Sequence, residues 1–167
     1  FYTDAQKPLF ERKVRSRLAV VSCSSFARYY ALLSDPCKGQ EELVHLIECL
    51  AVHETSFFRI TGHFQGLQQQ VFPALMNAPF GRSTPIRIWS AGCATGEEPY
   101  SIAIAFLEMM SQRKISPPFS QLLQVVATDI SPSILEKARK GRYSQKQAKK
   151  VPQALLDKYF ICHDHYY

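Results

Sequence analysis

No apolar run in the 167-residue sequence approaches the roughly 18 residues a membrane-spanning helix needs, and its first residues lack the charged-then-apolar order of a signal peptide. A soluble, cytoplasmic protein without membrane insertion is the expectation. No C-x-x-C pair occurs among Cys23, Cys37, Cys49, Cys93 and Cys162, and an odd number cannot all pair within one chain, so a reduced compartment fits best. The G-x-G-x-x-G fingerprint is missing, as are the Lys and Ser/Thr that close a P-loop, which argues against the common phosphate-binding classes. Internal repeats and low-complexity tracts are absent. Acids are the minority charge, 14 Asp and Glu against 20 Lys and Arg, and the resulting +6 favours an acidic partner. Charge alone does not choose among nucleic acid, an anionic surface and an acidic protein. An initiator Met is also lacking, as expected of a processed chain or a piece of a longer one.

What is present is 46% hydrophobic residues, enough to build one ordinary domain or two small ones. From Phe10 to about Asn77 apolar residues recur at helical spacing, as in Phe26, Tyr29, Tyr30 and Leu33, then Leu43, Leu46, Ile47 and Leu50. Asp35-Pro36 and Gly39 break this region, and another helix should follow Gly39. Turn formers gather between Asn77 and Pro85, which predicts a helical domain over residues 1–78 and a second domain over 79–167. After the turn, Ile86 to Trp89 reads as a strand, and Glu97 to about Ser111 as a helix with Ile102, Ala103, Phe106, Leu107 and Met110 on one face. Leu122 to Ala127 reads as a second, buried strand. Ser131-Pro132 then starts a helix that runs to about Lys140 and stops at Gly141. Two strand–helix units in succession predict an α/β class with a parallel, doubly wound sheet.

The strongest local signal lies between the first strand and its helix, Trp89-Ser-Ala-Gly-Cys-Ala-Thr-Gly-Glu-Glu-Pro-Tyr100. Gly92 and Gly96 permit a sharp turn and a close ligand approach. Glu97 and Glu98 crowd the helix N-terminus where a phosphate would otherwise sit, so a cationic ligand without phosphate suits the loop, although two acids there also serve the helix dipole alone. S-adenosylmethionine, with its positive sulfonium, is such a ligand. Asp129 follows the second strand, where a carboxylate can accept both ribose hydroxyls or simply cap a turn.

Three stretches, His53-Glu-Thr-Ser-Phe-Phe-Arg59, Trp89 to Ser101 and Ala127-Thr-Asp-Ile130, occur in the order of motifs that mark the CheR-type chemotaxis receptor methyltransferases, and the chain resembles that family over nearly its whole length. Arg12 to Leu33 is similar to the family's helical domain. The resemblance implies a small N-terminal helical domain followed by an incomplete Rossmann-like methyltransferase domain, with S-adenosylmethionine as cofactor and S-adenosylhomocysteine as product. It implies a protein-glutamate O-methyltransferase acting on chemoreceptors, with Thr55 and Arg59 near the cofactor and Arg59 near the methyl-donor end. Ala91 and Glu97 would line the donor pocket, and Asp129 matches the ribose-binding acid. His53 stands where the family often has Asn, so a polar contact there and a plain helix-end position both stay open.

A glutamate nucleophile, with an ordinary pKa of about 4.3, is ionised near neutrality and needs no general base. Catalysis should come from alignment and exclusion of water, and Arg59 is the residue expected to orient the acceptor carboxylate. Arg12, Lys13, Arg15, Arg17 and Arg28 form a basic cluster that could dock on the acidic helical surface of a receptor or be a solvated face. A second basic run, Lys137 to Lys150, contains no acid, yet nucleic-acid binding would need more than charge. Cys162-His-Asp-His165 lacks a second ligand group at zinc-finger spacing, and no metal is expected. The family would continue beyond Tyr167 with further strands, so a piece this short is expected to bind donor weakly, to be inactive alone, or to self-associate by exchanging elements. A non-catalytic cofactor-sensing or receptor-binding module is the competing reading. An RNA or small-molecule methyltransferase on the same scaffold is a third.

Overall fold

The computed structural model describes residues 4–52, 54–78, 84–115 and 122–167. The chain divides into two compact units, Phe1–Val52 and His53–Tyr167. The division thus precedes His53, whereas the sequence predicts it at the turn after Ala78.

In the first unit a 3₁₀ turn at Asp4–Gln6 leads into α1 (Lys7–Val20), followed by α2 (Phe26–Leu33) and α3 (Gly39–Leu50). Pro8 sits in the first turn of α1, where a missing N–H costs nothing, and the Ser25 side chain caps α2 by accepting from the Arg28 amide. Val14, Leu18 and Tyr29 form the small core. Glu42 is buried among them, and Arg17 neutralises it with two hydrogen bonds of 3.0 and 2.6 Å while the Tyr29 hydroxyl donates a third at 2.6 Å. Of the α2 residues at helical spacing, only Tyr29 is buried. Tyr30 remains 74% exposed, because the next residue along a helix points about 100° away from the face that buries Tyr29.

The second unit opens with α4 (Thr61–Gly66), which passes through a π turn at Leu67–Val71 into α5 (Phe72–Asn77). These turns belong to the second unit for a packing reason. Phe72 is fully buried edge-on against Phe106, with ring centroids 5.1 Å apart, and Gln68 Nε2 donates to the Ala105 carbonyl at 3.0 Å. The turn formers after Asn77 therefore end a helix without ending a core. Then come β1 (Ile86–Ala91), α6 (Glu97–Gln112), β2 (Leu123–Thr128), α7 (Pro132–Lys140), α8 (Gln145–Ala148) and α9 (Gln153–Tyr159).

Strands β1 and β2 pair in parallel from Ile86↔Leu123 to Ala91↔Thr128, with α6 as the crossover. Mixed helix and strand with a short parallel sheet is what the α/β pattern predicts. Helix α6 departs from the single expected face: Ile102, Phe106 and Met110 are buried, Ala103 and Leu107 only half-buried, and Ala105 and Met109 join the core with Phe72, Ile86 and Leu123, while Ile104 is buried as well. The opposite face of the sheet is open, with Trp89 70% and Val126 40% exposed. Ser131 caps α7 by accepting from the Ile134 amide, and Gly141 ends it in the left-handed conformation (φ +56°).

Candidate functional site

Both strands end at the same edge of the sheet, and the loops that leave them are tied together. The amides of Gly92 and Cys93 both donate to the Thr128 carbonyl, at 2.8 and 2.9 Å. Asp129 completes the tie, accepting from the Ala94 amide through Oδ2 at 2.9 Å and from the Ser131 amide through Oδ1 at 3.0 Å. Residues 92–96 turn by placing Gly92, Ala94 and Gly96 at φ of +73°, +47° and +97°. The two glycines serve different ends. A Cβ on Gly92 would meet nothing within 4 Å, so that position opens towards a ligand-sized space. A Cβ on Gly96 would lie 2.8 Å from the Tyr143 hydroxyl and 3.0 Å from the Ala138 Cβ, so glycine there is required by packing on α7.

The Thr55–Arg59 segment is anchored to α6. Phe57 is fully buried, edge-on to Tyr143 and Phe160 at 4.7 and 5.3 Å, and Phe58 adopts φ +49°. The Phe58 amide donates to Ser101 Oγ at 3.1 Å, and that hydroxyl donates to the Glu97 carbonyl at 2.6 Å. Arg59 stays exposed, its Nη1 donating to the Glu54 carbonyl at 3.2 Å and its Nη2 3.6 Å from the Glu54 carboxylate.

A cleft of about 470 Å³ results, lined by Glu54, Thr55, Arg59, His63, Gly92 and Glu98 among others. Of the residues picked out in the sequence, Thr55, Arg59 and Gly92 are brought together on its wall. Ala91 is exposed beside Gly92 at the end of β1. Glu97 and Gly96 sit behind the loop, Glu97 being only 2% exposed. Asp129 holds the loop from the β2 side through its bonds to the Ala94 and Ser131 amides. His53 lies outside the described residues. Glu98 reaches the cleft instead of Glu97, steadied by Ser90 Oγ, which donates to it at 2.6 Å. Burial, reinforced by the nearby Asp129 carboxylate, pushes the Cys93 thiol up, so it stays protonated and is no nucleophile.

Ser101, Tyr143 and Gln147 were not legible as site residues. Ser101 follows Glu97 by one helical turn. Ser144 and Gln147 carry the S-x-x-Q spacing of a capping box, a sequence sign of a helix start but not of a link to a loop some fifty residues earlier.

Residues 53–166 match the family model described as CheR methyltransferase, SAM binding domain. The chain belongs to the CheR methyltransferase family. It is 35% identical over 158 residues, 94% of its length, to the chemotaxis protein methyltransferase of Borreliella burgdorferi. Chemotaxis protein methyltransferase 2 of Vibrio cholerae is 33% identical over 161 residues, 96% of this chain, and the chemotaxis protein methyltransferase of Salmonella typhimurium 33% over 153 residues, 92%. The chain spans about half the length of these relatives, 54%, 53% and 48%. S-adenosylmethionine is the cofactor that the CheR match indicates. The residues present fit it, because the open Gly92 position leaves room beside the backbone and the cleft carries the Glu98 carboxylate, suited to a cationic, phosphate-free ligand, as well as Glu54 with its partner Arg59.

Proposed function

We propose that this CheR-family chain is the cofactor-binding part of a protein-glutamate O-methyltransferase that acts on chemoreceptors in the cytoplasm. The observation that carries the reading is the single cleft in which Thr55, Arg59 and Gly92 meet, within the stretch matched by the CheR model. Relatives named chemotaxis protein methyltransferase support the acceptor class. Among the described residues no helix is long and apolar enough to cross a membrane.

When bound, S-adenosylmethionine would supply a methyl group activated by positive sulfur, whose carbon would be attacked in line by an acceptor carboxylate oxygen as the C–S bond breaks and S-adenosylhomocysteine leaves. The chain's residues then have positioning tasks. Gly92 and Ala91 give the backbone edge on which the cofactor rests, Asp129 receives the ribose hydroxyls, and Glu97 supplies negative charge behind the loop. Thr55 offers a hydroxyl on the opposite wall. Arg59, at the exposed rim, exchanges its loose contact with Glu54 for a forked pair of hydrogen bonds to the acceptor carboxylate.

The helical first unit is proposed to face the acidic helical surface of the receptor. Arg17 is committed to Glu42, and Lys13 donates to the Leu50 and Ala51 carbonyls, which leaves the exposed Arg12, Arg15 and Arg28 for that role, Arg15 lying over the Phe26 ring at 4.9 Å and Arg28 donating to Ser24 Oγ at 3.1 Å. The second unit is proposed to be an incomplete Rossmann-like domain whose open Trp89 and Val126 face is covered either by the rest of a full-length protein or by a second copy.

The test is titration with S-adenosylmethionine followed by methyl transfer to a receptor peptide, in the full-length protein as wild type and as Arg59→Ala. The variant should bind donor and lose about 100-fold in turnover at saturating donor. Normal turnover would remove Arg59 from the mechanism, and failure of the wild type to bind donor would remove the function.

A further inference from the structure

We infer that Gln147 is a positioning residue for the cofactor, acting through Glu97, and this rests on the reading of Glu97 as the acid behind the cofactor loop. Glu97 is 2% exposed, and its carboxylate has neutral partners: Oε2 accepts from Thr95 Oγ1 at 2.6 Å and Oε1 accepts from Gln147 Nε2 at 3.2 Å. Among the described residues no Lys, Arg or His forms an ion pair with it.

The orientation of the Gln147 amide is not arbitrary. Its Oε1 accepts from the Ser144 backbone amide at 3.1 Å and from Ser144 Oγ at 2.8 Å, while the Gln147 backbone N–H donates back to Ser144 Oγ at 3.4 Å. An N–H donor at Ser144 demands an oxygen opposite it, so the NH₂ end must face Glu97. A reciprocal capping box at the start of α8 thus aims one neutral donor at an acid fifty residues earlier in the chain. Tyr143, four residues before Gln147, secures the same loop: its hydroxyl donates to the Thr95 carbonyl at 2.9 Å, and its ring is buried against Phe57.

The neutrality of these partners is the functional point. A Lys or Arg at position 147 would hold Glu97 equally well but would cancel its charge. Gln and Thr fix the carboxylate while leaving that charge for a cation arriving from the cleft side, where burial makes the attraction stronger than in water. Gln147 therefore governs how well the loop distinguishes a cationic, amino-acid-bearing ligand from a neutral nucleoside.

The experiment measures, in the full-length protein, affinities for S-adenosylmethionine and for 5′-methylthioadenosine, which has no sulfonium and no amino-acid tail. The variants are Gln147→Met, Glu97→Gln and the double variant. Gln147→Met should weaken S-adenosylmethionine about tenfold, the scale of one hydrogen bond to a charged group, and 5′-methylthioadenosine less than about twofold. In the Glu97→Gln background it should add nothing. If Gln147→Met weakens both ligands equally, its role is only to hold the fold, and the inference is overturned. It is also overturned, with the Glu97 reading intact, if Glu97→Gln weakens S-adenosylmethionine and Gln147→Met does not. Unchanged binding in Glu97→Gln would overturn the reading of Glu97 and the inference together.

Discussion

Asp129 joins the two loops at the end of the sheet, accepting from the Ala94 amide at 2.9 Å and from the Ser131 amide at 3.0 Å. Its carboxylate therefore ties the two loops together before any ligand arrives. Removing it in Asp129→Ala strands the amide of buried Ala94, which should cost about 1–3 kcal/mol in thermal or urea unfolding. Asp129→Asn keeps one acceptor oxygen and should cost less, yet weaken S-adenosylmethionine and adenosine alike if the acid receives the ribose. Selective loss of one ligand would contradict that role.

The two loop glycines should separate stability from binding. Gly96→Ala forces a Cβ against Tyr143 and Ala138 at φ +97°, and a loss of roughly 1–3 kcal/mol in folding stability is expected. Gly92→Ala meets open space, so its stability loss should be smaller, confined to the strain of φ +73°, while donor affinity falls as the new methyl group enters the cleft. Comparing melting temperature with donor titration for the pair checks both.

In the first unit, hydrogen bonds from Arg17 and then Tyr29 hold the Glu42 carboxyl below the usual carboxylate range against the opposing effect of burial. Burial first, then Glu42, pushes the Tyr29 phenol up to about 12. Glu42 titrates lower folded than unfolded, so its stabilisation is complete above its ordinary value of 4.5 and is lost as pH falls through its lower folded value. Tyr29 titrates higher folded than unfolded, so its contribution is complete below 10.0 and is lost between there and about 12. The stability advantage of wild type over Tyr29→Phe should accordingly be flat from above the carboxylate range up to pH 10, shrink above it, and shrink also at acid pH as Glu42 takes up its proton and the bond from Tyr29 to its carboxylate is lost. Arg17→Met, which leaves Glu42 buried without its cation, should cost about 3 kcal/mol at neutral pH.

Trp89 is the sole tryptophan, 70% exposed on the open face of the sheet, its Nε1 donating to Thr128 Oγ1 at 2.9 Å. If that face is covered in a longer protein or by a second copy, Trp89 emission should shift to the blue and its quenching by iodide should fall relative to residues 1–167 as a dilute monomer. Equal quenching in every state would mean that the face stays open.

Much of the fold was legible because its signals are local. The β-prone run at Ile86, the Ser131-Pro132 start and the Gly141 stop each depend on backbone preferences within one turn, and the structure places β1, α7 and its left-handed end there. The unit boundary was less legible. Turn formers mark where a helix ends, whereas the allegiance of α4 and α5 is decided by Phe72 meeting Phe106, a contact between residues far apart in the chain.

The candidate site divides along the same line. By itself the sequence determined the family, through three ordered motifs, and with them the candidates Thr55, Arg59, Gly92, Glu97 and Asp129. Only tertiary structure decided that Thr55, Arg59 and Gly92 share a cleft, that Glu98 faces it while Glu97 lies behind, and that Gly96 is glycine because of Tyr143. The physical reason is directional. Residue spacing says which side chains can share a face of one helix or strand, but the approach of α7 and α8 to the loop is fixed by packing, and that approach brings the Gln147 amide to the Glu97 carboxylate.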